Sequence, residues 1–143
     1  MGLKSDFRYR IFHQASPLQV LILINVGVFI LFGFFHVLFW LSKTNYFVLA
    51  EIKSWFDLAL EPKQLLRQPW SIITYAFMHD DFMHIFFNML VLFWFGSIFS
   101  DFSRNTNRLW LFYFSGALGG ALLALAAYNF VPAVHQPFQP HTF

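Results

Sequence analysis

From Leu18 to Leu41 the chain carries no charged side chain, and little beyond Asn25, Gly27, Gly33 and His36 interrupts its apolar run. At 1.5 Å rise per residue such a helix is about 36 Å long, enough to cross a hydrocarbon core with some tilt. No water-soluble packing of one short chain buries that much apolar surface on every side of a helix. A second run, His84 to Phe102, and a third, Leu109 to Tyr128, each approach the roughly 20 residues that one crossing requires. Only Ser103 to Arg108 separates them, so they form neighbouring antiparallel helices. The first run is too long for the core of a cleaved signal peptide, and no small-x-small site follows it, so it is a retained span.

The composition agrees with a bilayer as solvent. Apolar residues make up 58% of the chain and charged ones 11%, whereas a soluble domain has about 25% charged residues. Nine Lys/Arg scattered over several loops exclude a nucleic-acid footprint. With no cysteine, disulfides and thiolate metal sites are excluded. Lys4, Arg8 and Arg10 precede the first span, Arg104 and Arg108 flank the second loop, and no Lys or Arg follows Tyr128. The positive-inside rule then places the N-terminus and the second loop in the cytoplasm, and His84 near the outer face. Trp40 and Tyr46 serve as interfacial anchors at the far end of the first span.

The expected organisation is a cytoplasmic segment 1–17, a membrane domain 18–128 and a proline-rich tail 129–143. Within the membrane domain, helices cover 18–41, 84–102 and 109–128, and an interfacial loop covers 42–83. That loop is too long for a bare connector. Ile52, Trp55, Phe56, Ala59 and Leu60 have helical spacing, which predicts an amphipathic helix over Glu51–Leu60, stopped by Pro62. Lys63 to Gln68 forms a further turn before Pro69. The apolar face lies on the membrane surface or packs on the protein's own helices.

Polar chemistry concentrates at His79, His84 and Asn88, where the loop enters the second span. His84 and Asn88 are four residues apart and share a helix face. Imidazole and amide N–H groups on one face are donors for a developing oxyanion, worth roughly 3–4 kcal/mol each in acyl transfer. Each residue alone also fits an ordinary interfacial or helix-bridging role. His79, Asp80, Asp81 and His84 lack the register of a helical metal site, so no metal and no cofactor is expected. His36 reads as a neutral, hydrogen-bonded intramembrane histidine. Gly96 and the group Ser115, Gly116, Gly119 and Gly120 allow close helix approach, within the chain or to a second subunit.

The segment from Pro69 to Asn88, with His-x4-His-x3-Asn after a Trp and a Thr, resembles the box in which the first loop of rhomboid intramembrane serine proteases runs into helix two. The resemblance implies that His84 and Asn88 stabilise the oxyanion, that His79 has a structural or water-organising role, and that Trp70 is the loop tryptophan. Ser71 stands where the family often has arginine, and Asp101 only loosely matches an acidic residue late in helix two. Gly96 and the helix-three glycines resemble the family's small packing positions. The likeness spans Leu18 to Tyr128, three helices of a six-helix core.

The family's nucleophile lies in Gly-x-Ser-Gly, and no such tetrad occurs in the 143 residues. Ser115 lacks the first glycine and sits over about 15 Å from His84 by helix rise, out of reach of any base there. His135 and His141, in the proline-rich tail, do not fit the base. The expectation is therefore an all-α integral membrane protein with a partial rhomboid-like fold, the N-terminal part of a protease that cuts transmembrane substrates with a Ser–His dyad. It would lie in a bacterial inner membrane, supply the oxyanion side and the outer loop, and be inert alone. Alternatives are a non-catalytic module that binds transmembrane segments, a small structural or oligomeric membrane protein, and a metal-dependent membrane enzyme.

Overall fold

The computed structural model describes residues 15–42 and 47–131. Lys4, Arg8, Arg10, Tyr46 and the proline-rich tail with His135 and His141 lie outside the described residues. In chain order the elements are α1 (Pro17–Leu41), α2 (Phe47–Ser54), α3 (Pro62–Arg67), α4 (Ser71–Thr74), a 3-10 turn (Tyr75–Phe77), α5 (Phe82–Phe102) and α6 (Arg108–Phe130). Among the described residues there is no strand. With 25, 21 and 23 residues, α1, α5 and α6 are each long and apolar enough to cross a membrane. Leu31, Phe34, Phe95 and Leu123 stand exposed along them, as befits side chains whose solvent is lipid.

Local signals set the helix ends. Ser16 opens α1 with a reciprocal capping box: its Oγ accepts from the Gln19 amide at 3.3 Å, and its own N–H donates to Gln19 Oε1 at 2.9 Å. Pro17 occupies the first helical position, where its missing N–H costs nothing. At the other end Ser42 Oγ donates to the Leu38 carbonyl at 2.6 Å. Ahead of α6, Asn105 Oδ1 accepts from the Asn107 amide at 3.0 Å and the Asn105 carbonyl from the Arg108 amide at 3.1 Å.

The described chain forms two compact units. The first combines α1 with residues 77–113. Its core is Leu18, Leu21 and Leu109, with Ile22, Leu92 and Trp110 packed around them. Here α1 lies against α5, and Leu18 fills the notch over Gly96: a Cβ at Gly96 would come 2.5 Å from Leu18 Cδ1. Asn25 is fully buried in the same unit. Its Nδ2 donates to the Leu21 carbonyl at 2.8 Å, and its Oδ1 accepts from the Tyr113 hydroxyl at 3.2 Å. A polar group in an apolar interior is tolerated only with such partners.

The second unit combines residues 47–76 with 114–131. The helix expected over Glu51–Leu60 is corrected: α2 ends at Ser54, and Pro62, expected to stop a helix, instead starts α3. The reason is competition for backbone groups. The carbonyls of Trp55 and Phe56 accept from Trp70 Nε1 at 2.9 Å and Thr74 Oγ1 at 2.8 Å, and the Ala59 amide donates to Ser71 Oγ at 3.3 Å. Trp55 also stacks on Trp70, ring centroids 6.0 Å apart and planes 7° from parallel. These contacts hold the segment in a tight non-helical path and bury Ala59, while Trp55 and Phe56 remain exposed.

Candidate functional site

The loop enters α5 through Asp81, whose extended backbone (φ −143°, ψ 167°) makes it the N-cap. Its Oδ1 accepts from the His84 amide at 2.8 Å, satisfying one of the orphan donors of a first helical turn. The helix thus starts at Phe82, two residues ahead of the His84 expected from hydropathy. His84 occupies the third helical position, and Asn88 follows one turn further on the same face.

His79 folds back beneath this turn. It is buried, with Nδ1 3.1 Å from the Phe77 carbonyl. A carbonyl only accepts, so Nδ1 carries the proton and Nε2 of the neutral ring is left as an acceptor. Burial pushes the pKa of His79 down from 6.5; the nearby His84 adds to this, and the Phe77 hydrogen bond and Asp80 oppose it. The ring is therefore neutral near pH 7. Its edge meets His84, centroids 5.2 Å apart and planes at 63°. His84 and Asn88 are both exposed. Among the described residues, neither side chain makes a hydrogen bond.

Three of the residues singled out from sequence, His79, His84 and Asn88, therefore stand on one capped helix start. Trp70 belongs to the other unit, where its indole ties α4 to the Trp55 carbonyl. Ser71 is fully buried there, its hydroxyl accepting the Ala59 amide. The small residues differ among themselves. Gly96 receives Leu18, and a Cβ at Gly120 would stand 2.9 Å from Tyr75 Oη, but at Gly116 or Gly119 it would meet nothing within 4 Å. Ser115 lies in the second turn of α6, in the second unit, and Asp101 at the last turn of α5.

Residues 66–134 match the family model of the Rhomboid domain. This matched segment supports membership of the rhomboid family. No curated protein and no solved structure matches it. The rhomboid match begins inside α3 and takes in α4, the 3-10 turn, α5 and α6, so Trp70, His79, His84 and Asn88 all fall within it. With three helices long and apolar enough to span and no strand among the described residues, the chain is an all-α membrane protein.

Sequence reasoning missed the structural roles of Asp81, Tyr75 and Asn25. Asp81 carried a readable signal, since an Asp directly before an apolar run is a helix-start residue. Tyr75 carried none. Its hydroxyl donates to the Ala117 carbonyl, within the second unit, at the step where Gly120 has no side chain. Burial raises its pKa from 10.0, which keeps the phenol a donor.

Proposed function

We propose that His84 and Asn88 are the oxyanion-side donors of a rhomboid-type intramembrane serine protease, and that residues 1–143 supply this side of the site and the outer loop. The observation that carries the reading is the pair itself. Two polar side chains lie one turn apart at the start of a membrane helix, exposed and without a hydrogen-bond partner among the described residues. Donors left unsatisfied at that depth are costly unless a reacting group or water uses them. The neutral His79 fixes the His84 ring from below and offers Nε2 as an acceptor, which suits a water-organising role.

The reaction is hydrolysis of a peptide bond in a transmembrane substrate. A serine attacks the carbonyl carbon and a histidine takes its proton. The carbonyl oxygen becomes an oxyanion that His84 and Asn88 stabilise by N–H donation. Neither Gly-x-Ser-Gly nor a fitting base histidine occurs in the 143 residues, so these residues alone leave a transmembrane peptide uncut. By the positive-inside rule the arginines favour a cytoplasmic N-terminus and α5–α6 loop, and a bacterial inner membrane is the setting proposed.

The purified 143-residue chain, reconstituted with a fluorescent transmembrane substrate, should give no product. Cleavage blocked by a serine-directed phosphonate overturns that part of the reading. If the native gene product cleaves, His84→Ala or Asn88→Ala should lower kcat about 10²–10³-fold; an unchanged kcat removes the oxyanion role. A second reading, recognition of transmembrane segments without cutting, would use the same exposed His84–Asn88 pair. Substrate retained by the native product without turnover, and lost in the Asn88→Ala variant, would favour it.

A further inference from the structure

At the opposite end of α5 a pocket of about 540 Å³ opens between α5 and α6, lined by Phe99, Phe102, Ser103, Arg104, Asn105, Arg108 and Phe112. We propose that this pocket binds the headgroup and glycerol region of an anionic phospholipid.

The hydrogen bonding of the loop sorts its polar groups by sign. Ser103 Oγ donates to the Asn105 carbonyl at 3.0 Å and accepts from the Asn105 amide at 3.3 Å. Asn105 Oδ1 accepts from the Asn107 amide at 3.0 Å. The side-chain acceptors of Ser103 and Asn105, the two that line the pocket, are thus engaged inside the loop. The Arg104 and Arg108 guanidinium groups and the Asn105 side-chain NH₂ make no hydrogen bond or ion pair among the described residues. A rim whose available side-chain groups are all donors, two of them cationic, fits an anion.

The rest of the lining fits the other half of a lipid. Phe99 and Phe112 sit about one turn inward from the loop, and their rings meet edge to face with centroids 4.8 Å apart. Phe102 is 88% exposed and Phe112 58%. Both lie at the ends of membrane-spanning helices, where the polar region gives way to acyl chains. A free phosphate would gain nothing from that apolar floor. A phospholipid spans both halves, its phosphodiester at the arginines and its glycerol esters over the phenylalanine pair. A zwitterionic headgroup carries its own cation to the rim, so the site prefers a net negative one. The Ser103–Asn107 turn holds itself by three internal hydrogen bonds, so little backbone order has to be imposed on binding.

The test is native mass spectrometry of the intact chain in detergent, titrated with phosphatidylglycerol and with phosphatidylcholine of the same acyl chains. One phosphatidylglycerol should be retained in preference to phosphatidylcholine. Each arginine near a membrane surface contributes about a 5-fold factor, so Arg104→Gln with Arg108→Gln should cut that preference about 25-fold, and Arg104→Lys with Arg108→Lys should keep most of it. Phe112→Ala should weaken both lipids alike. An unchanged preference in the double glutamine variant overturns the site. Displacement of the lipid by millimolar inorganic phosphate overturns the lipid assignment in favour of a soluble anion. Should the glutamine variant lose its helical signal, raising the salt on the unaltered chain decides: a preference that does not fall refutes the arginine contacts.

Discussion

Gly96 and Leu18 offer the sharpest test of what holds the first unit together. Between membrane helices there is no hydrophobic driving force to spare, because lipid tails are as apolar as leucine. Stability then rests on how closely surfaces fit. A Cβ at Gly96 would approach Leu18 Cδ1 to 2.5 Å, Cδ2 to 3.3 Å and Cγ to 3.4 Å, all atoms of one side chain. Carbon atoms rest at about 3.5–4.0 Å, so the end of Leu18 must retreat by roughly 1 Å or more. Leu18 is only 8% exposed and sits in a cluster with Leu21 and Leu109, which leaves it little room to turn. Overpacking of this kind costs about 1–3 kcal/mol, and replacing a helical glycine by alanine returns up to about 1 kcal/mol. Gly96→Ala should therefore destabilise by about 0–2 kcal/mol. In a Leu18→Ala background the clash is gone, and the same change should stabilise by about 0.5–1 kcal/mol. The double-mutant cycle, read by circular dichroism during SDS titration in micelles, should show a coupling of about 1–3 kcal/mol. A coupling below about 0.5 kcal/mol, with Gly96→Ala costing the same in both backgrounds, refutes the knob-in-notch account.

Other consequences follow from the same contacts. Asn25→Leu removes the acceptor of the Tyr113 hydroxyl and should cost about 0.6–1.7 kcal/mol in the same SDS assay; a stabilised variant would mean the bond is of no account. Asp81→Ala removes the cap on the His84 amide and should cost about 1 kcal/mol, seen first as faster hydrogen exchange over the opening turn of α5; unchanged exchange there rules out the cap. His79 has a folded pKa below 6.5, so the unfolded chain binds more protons near pH 6. The stability His79 contributes is present above about pH 6.5 and is lost as pH falls through its folded pKa. Unfolding midpoints should therefore drop on acidification, and His79→Gln should flatten that drop; an unaltered pH profile in the variant contradicts the buried neutral ring.

The membrane helices were legible because a bilayer imposes its length locally: no charged residue interrupts Leu18–Leu41, and nothing distant can alter that reading. The His79, His84 and Asn88 grouping was legible for a similar reason, since one helix start carries His84 and Asn88 and a five-residue step brings His79 to it. What escaped depends on partners far along the chain. Trp55 and Phe56 have helical spacing, yet their carbonyls are claimed by Trp70 and Thr74, 15 and 18 residues on. Asn25 looked like a mere interruption because Tyr113 lies 88 residues away. Tyr75 is one aromatic among many until the Ala117 carbonyl is placed beside it. The start of α5 is the exception: Asp81 was in plain sight, and hydropathy alone put the boundary too late.

The capped start of α5 also acts as a depth gauge. A carboxylate that closes the first helical turn resists being drawn into hydrocarbon, so Asp81 stays at the water line and every later residue is metered from it. By helix rise Asn88 then lies about 10 Å along the axis from that line, with His84 between. A bilayer a few ångströms thicker or thinner is met by tilting or by local deformation of the lipid, while the spacing along the helix stays fixed. On the proposed reading of His84 and Asn88 as donors, the group they serve would then have to present itself within a thin layer just beneath the headgroups, whichever membrane the protein inhabits.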